Sequence, residues 1–421
     1  MERKKAVIIS LQEDNEELEH LSESLNYEVV KIFIQRQGKS RRPFYIGKGK
    51  IREIKDYLSE RNINFAIVNG MLTPSQWYNM EKELGIKVYD RVHLILDIFA
   101  DRAKRKEAKL QVKLAYLRYE KPYIKELIQR IRAGEHPGFM GGGEYEIANY
   151  YEMIKRQIKK IKKELEKLER GREGHYKYRV KKGYYLVTIA GYTNAGKSSL
   201  LNKLTGENVE VEERLFSTLS TTTRIIKDER KPILVTDTVG FIRDLPHWLI
   251  DSFKSTLKGI ALSDVVVLLV DASEEKEVIA EKMEVSIKEI MGVNINQKIL
   301  IGFNKSDKIN ITEKKEKIEY LKDIIDDRPY VFLSAKTGEG IEELVEMICG
   351  SLPENVTMKI KFPEKTGNND LSFIFGKGIE ILYLGNFGED IYISCSDRLK
   401  EKIMGKCIKS GAEVKIINKV A

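Results

Sequence analysis

The sequence predicts a multidomain α/β protein, and three observations carry that expectation. Short β-branched runs alternate with polar helical stretches over the first hundred residues, the pattern of a parallel sheet with crossover helices. A strongly basic segment with helical period follows, and from residue 183 onward the strand-and-helix alternation resumes. At roughly 150 residues per domain, 421 residues give about three domains. With 42% hydrophobic and 33% charged residues the chain reads as globular, not as disordered. The expected division is 1–97, an α/β domain; 98–182, a helical hairpin; 183–352, a nucleotide-binding domain; and 353–421, a small α/β domain.

In the first domain the strand candidates are Ala6 to Ser10, Val29 to Ile34, Phe65 to Val68 and Lys87 to Tyr89. Helices are expected near 15–25, 50–61 and 74–84, the last opened by Thr73 as N-cap with Pro74 at the first helical position. Gly47-Lys48-Gly49-Lys50 precedes the second helix. A glycine–lysine turn at a helix N-terminus can hold a phosphate, although this one is too short for a full P-loop and also reads as a plain turn.

Between 97 and 182 the period becomes helical. Ile147, Tyr151, Ile154, Ile158, Ile161, Leu165 and Leu168 follow a heptad seam, and Leu110, Leu114, Leu117, Ile124, Ile128 and Ile131 supply a facing stripe. Pro122 is expected to kink or break the first of these helices. The construction implied is an antiparallel hairpin, its second helix over 144–170, with a glycine-rich loop at 134–143 as the tip. The charge is concentrated here: residues 102–132 carry an excess of +8 and residues 155–182 one of +9, while the whole chain carries +9, so everything else sums to −8. Such an imbalance repels itself unless an anion binds, which favours nucleic acid over a merely solvated helix face. Tyr116, Tyr119, Tyr123, Tyr150, Tyr151, Tyr176 and Tyr178 are interleaved and can stack on unpaired bases, though some must lie in the seam.

Other classes are excluded early. Three scattered cysteines, Cys349, Cys395 and Cys407, make neither a disulfide framework nor a zinc site and fit a reducing cytoplasm. The five histidines are equally dispersed. The apolar run Val265 to Val270 is far short of the roughly 20 residues needed to span a bilayer, and the N-terminus has no signal-peptide pattern.

Residues 183–351 carry the chemistry. The run Tyr184 to Ala190 leads into Gly191, Tyr192, Thr193, Asn194, Ala195, Gly196, Lys197 and Ser198, which fits G-x-x-x-x-G-K-S, and a helix continues from Ser199. Backbone N–H groups of such a loop face phosphates that the glycines let approach. Lys197 is expected to reach the β and γ phosphates and the Ser198 hydroxyl to coordinate Mg²⁺. After the strand Pro232 to Thr236 comes Asp237-Thr238-Val239-Gly240, where Asp237 holds the metal through water and the Gly240 amide senses the γ-phosphate. The strand Lys298 to Phe303 ends in Asn304-Lys305-Ser306-Asp307, and a carboxylate at Asp307 can accept from guanine N1–H and the N2 amino group, which adenine lacks. Finally Val331 to Leu333 ends in Ser334-Ala335-Lys336, with the Ala335 amide expected to donate to guanine O6. Four motifs in this order, each at a strand C-terminus, point to a P-loop GTPase domain whose substrate is GTP.

The wording Gly191-Tyr-Thr-Asn-Ala-Gly-Lys-Ser198 with Asp237-Thr-Val-Gly-Phe-Ile242 resembles the HflX family of translation-factor-class GTPases. Asp90-Arg91, Leu94-Ile-Leu-Asp-Ile-Phe-Ala100, Arg102-Ala103 and Lys109-Leu-Gln-Val-Lys-Leu-Ala115 are similar to that family's linker, and 47–54 to its N-terminal domain, so the resemblance spans about 1–351. It implies a ribosome-associated GTPase that binds the large ribosomal subunit and its RNA through the N-terminal and helical regions and separates stalled or damaged ribosomes. Phe-Ser-Thr at 216–218 resembles the family's Phe-Ala-Thr and points to Thr218 as the Mg²⁺ ligand of the GTP-bound state, with Thr221, Thr222 and Thr223 as alternatives.

Two departures stand out. Phe241 follows Gly240 where many small GTPases carry the glutamine that orients water, so slow intrinsic hydrolysis accelerated by a partner is expected. The family's glycine-rich loop commonly reads Gly-Pro-Gly-Glu with an acidic and double-arginine segment, whereas this chain has Gly141-Gly-Gly-Glu144 followed by Tyr145. The C-terminal residues read as strands at 357–362, 379–384, 390–394 and 412–417 with a helix at 397–404, and no catalytic cluster is visible among them. The expected partner is ribosomal RNA rather than DNA, and no oligomeric state is assigned. The rival reading is an adaptor GTPase that binds a protein along the heptad seam without touching RNA; a weaker one gives the N-terminal domain an ATP-dependent activity of its own.

Overall fold

The computed structural model of the chain describes residues 3–36, 43–132, 143–206, 223–226, 231–238, 240–241, 248–249, 259–294, 297–361, 374, 379–384 and 390–417. They fall into two compact units. Unit 1 comprises Met1–Leu168 with Glu213–Ser220 and Asp244–Phe253, and unit 2 comprises Glu169–Glu212, Thr221–Arg243 and Lys254–Ala421.

Unit 1 is built on a parallel sheet of β1 (Lys4–Ser10), β2 (Tyr27–Ile34), β3 (Phe65–Val68) and β4 (Lys87–Asp90), in the order β2-β1-β3-β4. Ala6 to Ile9 of the central β1 are fully buried, as a strand covered on both faces must be. Helices α1 (Glu16–Ser24), α2 (Lys48–Ser59) and α3 (Pro74–Leu84) make the crossovers. At α3 the local chemistry is complete: Thr73 and Gln76 form a reciprocal capping box, Pro74 takes the first turn, and Gly85 closes the helix at φ 69°. At α2, Gly47 is the N-cap and its amide donates to Gln35 Oε1 at 2.8 Å, so the glycine–lysine turn serves the fold.

A helix not expected as such, α4 (Arg91–Arg102), follows β4 directly and is capped by the Asp90 carboxylate, which accepts from the His93 amide at 2.8 Å. Its buried Leu94, Ile95, Ile98 and Phe99 belong to this layer and it packs on α1, so the expected boundary at residue 97 falls inside an element. The next helix, α5 (Lys106–Arg132), was expected to kink or break at Pro122 and is not broken there. Contacts on both sides of the proline hold it: the rings of Tyr119 and Tyr123 pack on Trp77 with centroids 5.4 and 4.7 Å away. Tyr116, bonded to the Asp97 carboxylate, and Tyr119 both face His93. Three of the tyrosines offered as base-stacking residues are therefore half-buried, because α5 lies against α3 and α4; Tyr150 and Tyr178 are exposed. Trp248 also belongs to this unit, with its ring 6.3 Å from Tyr119 and its carbonyl accepting from Arg118 Nη1 at 3.1 Å.

Helix α6 (Gly143–Lys181) continues eleven residues beyond the expected end at Arg170. Gly171 and Gly174 cost only about 1 kcal/mol each, too little to stop a segment otherwise rich in lysine and glutamate. The facing stripes meet as expected: Leu114 and Leu117 of α5 form one cluster with Ile154 and Ile161 of α6, flanked by Leu110, Ile124, Ile158 and Leu165. The glycine-rich loop lies outside the described residues up to Gly143.

In unit 2 a six-stranded sheet runs in the order β10-β9-β8-β5-β7-β6. Its strands are β5 (Tyr185–Gly191), β6 (Thr223–Ile225), β7 (Ile233–Asp237), β8 (Val265–Asp271), β9 (Ile299–Asn304) and β10 (Tyr330–Phe332), all parallel except β6. The helices are α7 (Lys197–Thr205), α8 (Lys276–Val293), α9 (Ile311–Ile325) and α10 (Ile341–Ser351). Two apolar layers sandwich the sheet, one around Val187, Leu200 and Val265 and one around Val266, Ile287 and Ile301. The C-terminal residues form an antiparallel sheet of β11 (Asn355–Lys361), β12 (Ile379–Leu384), β13 (Asp390–Ser396) and β14 (Glu413–Ile417), with α11 (Asp397–Lys409) covering one face through Leu399, Ile403 and Cys407. Among the described residues no helix is long and apolar enough to cross a membrane.

The α5–α6 cluster yields a direct check. Ile154 is fully buried in it, so Ile154→Ala should lower the opening free energy of facing amides in α5 and α6 by about 2–4 kcal/mol, read by hydrogen exchange. Unchanged exchange in both helices would contradict the packing described.

Candidate nucleotide site

The site is assembled where parallel strands end. β5, β7, β9 and β10 all finish on one edge of the unit 2 sheet, the edge at which open α/β sheets hold ligands. β5 is buried along its whole length and delivers the chain into the loop from Gly191 to Gly196, from which α7 starts. Two glycines are obligatory there. Gly191 has φ 147°, and a Cβ on it would lie 2.2 Å from the Leu269 carbonyl oxygen; Gly196 has φ 91°, and a Cβ would lie 2.3 Å from Asn304 Nδ2.

Lys197 opens α7 with only 8% of its surface exposed, and its Nζ donates to the Tyr192 carbonyl at 2.6 Å. Burial pushes its pKa down to about 8, opposed by the nearby Asp237 carboxylate. Ser198 Oγ donates to Asp237 Oδ2 at 3.0 Å, bringing together the two side chains expected at the metal. A hydroxyl and a carboxylate are hard oxygen donors, the set that suits Mg²⁺. Thr238 is anchored by its hydroxyl to the Ile189 carbonyl at 2.8 Å.

The turn after β7 lies directly on the loop after β5. The Phe241 amide donates to the Gly191 carbonyl and the Thr193 amide to the Phe241 carbonyl, both at 2.9 Å. A Cβ on Gly240 would sit 2.8 Å from Lys197 Nζ and 2.9 Å from the Thr193 nitrogen, so only glycine fits between them. The Phe241 side chain is buried in the apolar layer with Ile260 and Val266. Thr218 and its alternatives Thr221 and Thr222 lie outside the described residues, whereas Thr223 opens β6 and its hydroxyl pairs with that of Thr236.

The other two motifs are stitched to the first by Asn304. Its Nδ2 donates to the Ala195 carbonyl at 2.8 Å and its Oδ1 accepts from the Ala335 amide at 2.9 Å. The amide expected to meet guanine O6 is thus engaged here by Asn304. Asp307 sits in a 3₁₀ turn, Ser306–Lys308, and its carboxyl is held below the usual range chiefly by a hydrogen bond from the Ser334 side chain, with Lys336 and Lys308 adding to the effect. Ser334 itself is fully buried, its Oγ accepting from the Thr337 amide at 3.1 Å. Ser199 follows Ser198 in the first turn of α7, and Lys336 is exposed. One participant had no motif to announce it: Asp271, at the end of β8, pairs through Oδ2 with Lys305 Nζ. The only signal for it in the sequence is an acid closing the Val265 to Val270 run.

Known proteins match the chain along most of its length. Family profiles described as GTP-binding GTPase N-terminal, GTP-binding GTPase Middle Region and 50S ribosome-binding GTPase match residues 12–100, 102–179 and 186–305. GTPase HflX of Methanocaldococcus jannaschii is 40% identical over 394 residues, 94% of this chain and 95% of that one. GTPase HflX of Thermococcus kodakarensis is 39% identical over 415 residues, 96% and 92% of the two chains. Among solved structures, a GTP-binding protein from the hyperthermophilic archaeon Sulfolobus solfataricus in complex with GDP is 28% identical, covering 83% of this chain and 98% of that one, with a TM-score of 0.45. With 40% identity carried across nearly the full length of both sequences, the chain belongs to the HflX family and is a GTPase.

Proposed function

We propose that this GTPase is a Mg²⁺-dependent switch that binds the large ribosomal subunit through its N-terminal and basic helical regions and promotes ribosome dissociation or rescue. Charge carries the reading: Lys159, Lys160, Lys162, Lys163 and Lys167 are all exposed on α6, in a segment whose excess of +9 equals that of the entire chain. A helix surface so unbalanced is stabilised by a polyanion, and the profile matching residues 186–305 is that of a 50S ribosome-binding GTPase.

In this reading the residues from Gly191 to Ser199 cradle the phosphates, with Lys197 on the β and γ groups. Ser198, Asp237 and Thr218 hold Mg²⁺, which neutralises charge developing on the phosphoryl oxygens. Asn304, Lys305 and Asp307 with Ser334, Ala335 and Lys336 form the guanine pocket, in which Ala335 turns from Asn304 toward O6. The Gly240 amide reports the γ-phosphate. The buried Phe241 ring cannot orient water, which makes basal hydrolysis slow and dependent on the partner.

The buried lysine gives a signature in pH. Its folded pKa of about 8 lies below the ordinary value, so in the nucleotide-free protein the unfolded chain binds the proton that the folded one lacks, and stability rises with pH across that window. Phosphates restore the proton, so binding takes one up and GDP affinity should fall above pH 8 by up to about tenfold per unit. Fluorescence titrations from pH 7 to 9 should show this slope in the wild type and lose it in Lys197→Met; identical slopes would place the proton elsewhere.

The function itself is tested by GTP hydrolysis with and without large ribosomal subunits at two salt concentrations. Strong stimulation that collapses at the higher salt is expected, because lysine–phosphate contacts release counterions. Absence of stimulation at both salts would favour the adaptor reading, in which a protein partner binds the α5–α6 seam.

A further inference from the structure

The structure assigns Asp271, a residue outside the four nucleotide motifs, the role of positioning Lys305 in the guanine pocket; this rests on the reading of Asn304 to Asp307 as that pocket.

Asp271 is the last residue of β8 and stands in register with Asn304 at the end of β9. Its carboxylate is divided between two tasks. Oδ2 accepts from Lys305 Nζ, while Oδ1 accepts from the Ser273 amide at 3.0 Å and the Ser273 hydroxyl at 2.6 Å. The side chains of Asp271 and Lys305 are only 10% and 22% exposed, so this is no solvated surface pair of negligible worth. Its surroundings are fixed in turn. Lys317 of α9 donates to the Ala272 and Glu274 carbonyls, each at 2.7 Å, and Lys282 of α8 holds the Glu274 carboxylate at 2.6 Å. The carboxylate therefore belongs to a braced loop and presents a preorganised anion to the lysine.

Lys305 needs such a partner. Its backbone is left-handed, at φ 63° and ψ 31°, a conformation that side chains bearing a Cβ resist. That conformation reverses the chain at the end of β9 and sets Asp307 beside Ser334. The Ala272 amide bonds the Asn304 carbonyl at 2.8 Å on one side, and the Ser306 amide bonds the Leu333 carbonyl at 3.1 Å on the other. The ion pair ties the side chain between these two backbone bonds to β8. Loss of the Asp271 charge frees the ammonium and loosens the turn that carries Asp307. The guanine ring is the same in GDP and GTP and distant from the reacting phosphate, so the loss is one of uniform binding.

The test uses the full chain and four variants, Asp271→Asn, Asp271→Glu, Lys305→Met and Asp271→Asn with Lys305→Met, titrated with fluorophore-labelled GDP and GTP and assayed for steady-state hydrolysis. Asp271→Asn should raise both dissociation constants and KM about tenfold, the worth of one charge-assisted hydrogen bond, with kcat within about twofold. Asp271→Glu should recover most of the affinity, and the Asn substitution should add nothing on the Lys305→Met background. Unchanged affinity in Asp271→Asn, or a fall in kcat at constant KM that marks loss of folded protein alone, would overturn the role, as would additive effects in the double variant. Asp307→Asn is the separate control on the pocket: a swing toward xanthosine triphosphate supports the pocket whatever Asp271 does, and unaltered guanine selectivity would remove the premise itself.

Discussion

Lys197 is a cation almost wholly withdrawn from water, and the loops at the strand ends of the unit 2 sheet are organised around keeping it there. A buried ammonium is costly, and its lowered pKa measures that cost. Among the described residues the Tyr192 carbonyl and the Asp237 carboxylate offset it, and they arrive on the ends of two adjacent parallel strands, β5 and β7. Gly240 follows from the same requirement, since a Cβ there would collide with the Lys197 ammonium and the Thr193 nitrogen, while Gly191 lets the loop pass close to the Leu269 carbonyl of β8.

Asn304 extends that order across the sheet. One amide side chain joins the loop after β5 to the loop after β10, so the two loops share a single hydrogen-bonded frame. Asp271 continues it to β8, the strand between them, through Lys305. Every strand from β10 to β7 in the sheet thus contributes an end to the site. Unit 1 solves a different problem. Its helix α5 is held by aromatic rings packed on Trp77 and His93, which leaves the lysines of α6 free to remain in solvent on a helix whose apolar side is spent on the seam.

What was legible in the sequence was whatever local chemistry decides. Thr73 and Pro74 fixed the start of α3 by capping alone, and the alternation of apolar runs marked each parallel strand to within two residues. The phosphate loop could be read because glycine and lysine at that spacing have few other uses. What escaped was decided by contacts distant in sequence. Pro122 ought to interrupt a helix, yet Trp77, more than forty residues away, stabilises both flanking turns. The tyrosines of α5 look like a stacking surface until α3 and α4 are placed against them. Asp271 carries no motif because its partner Lys305 lies 34 positions further on, and the pairing exists only once β8 and β9 are neighbours. The Ala335 amide was expected at guanine O6; its hydrogen bond to Asn304 could not be read from the sequence, because it requires the loop from β9 to be in place.

In the proposed function α6 meets ribosomal RNA through its lysines while the nucleotide site governs the encounter. Co-sedimentation of the full chain with large ribosomal subunits in a non-hydrolysable GTP analogue tests it most directly, comparing the wild type with Lys159, Lys160, Lys162 and Lys163 all changed to Gln. Tight, salt-sensitive binding is expected of the wild type, and in the variant a loss of at least about tenfold with a shallower salt dependence but unaltered nucleotide affinity. Equal binding of the two proteins with equal salt slopes would contradict it.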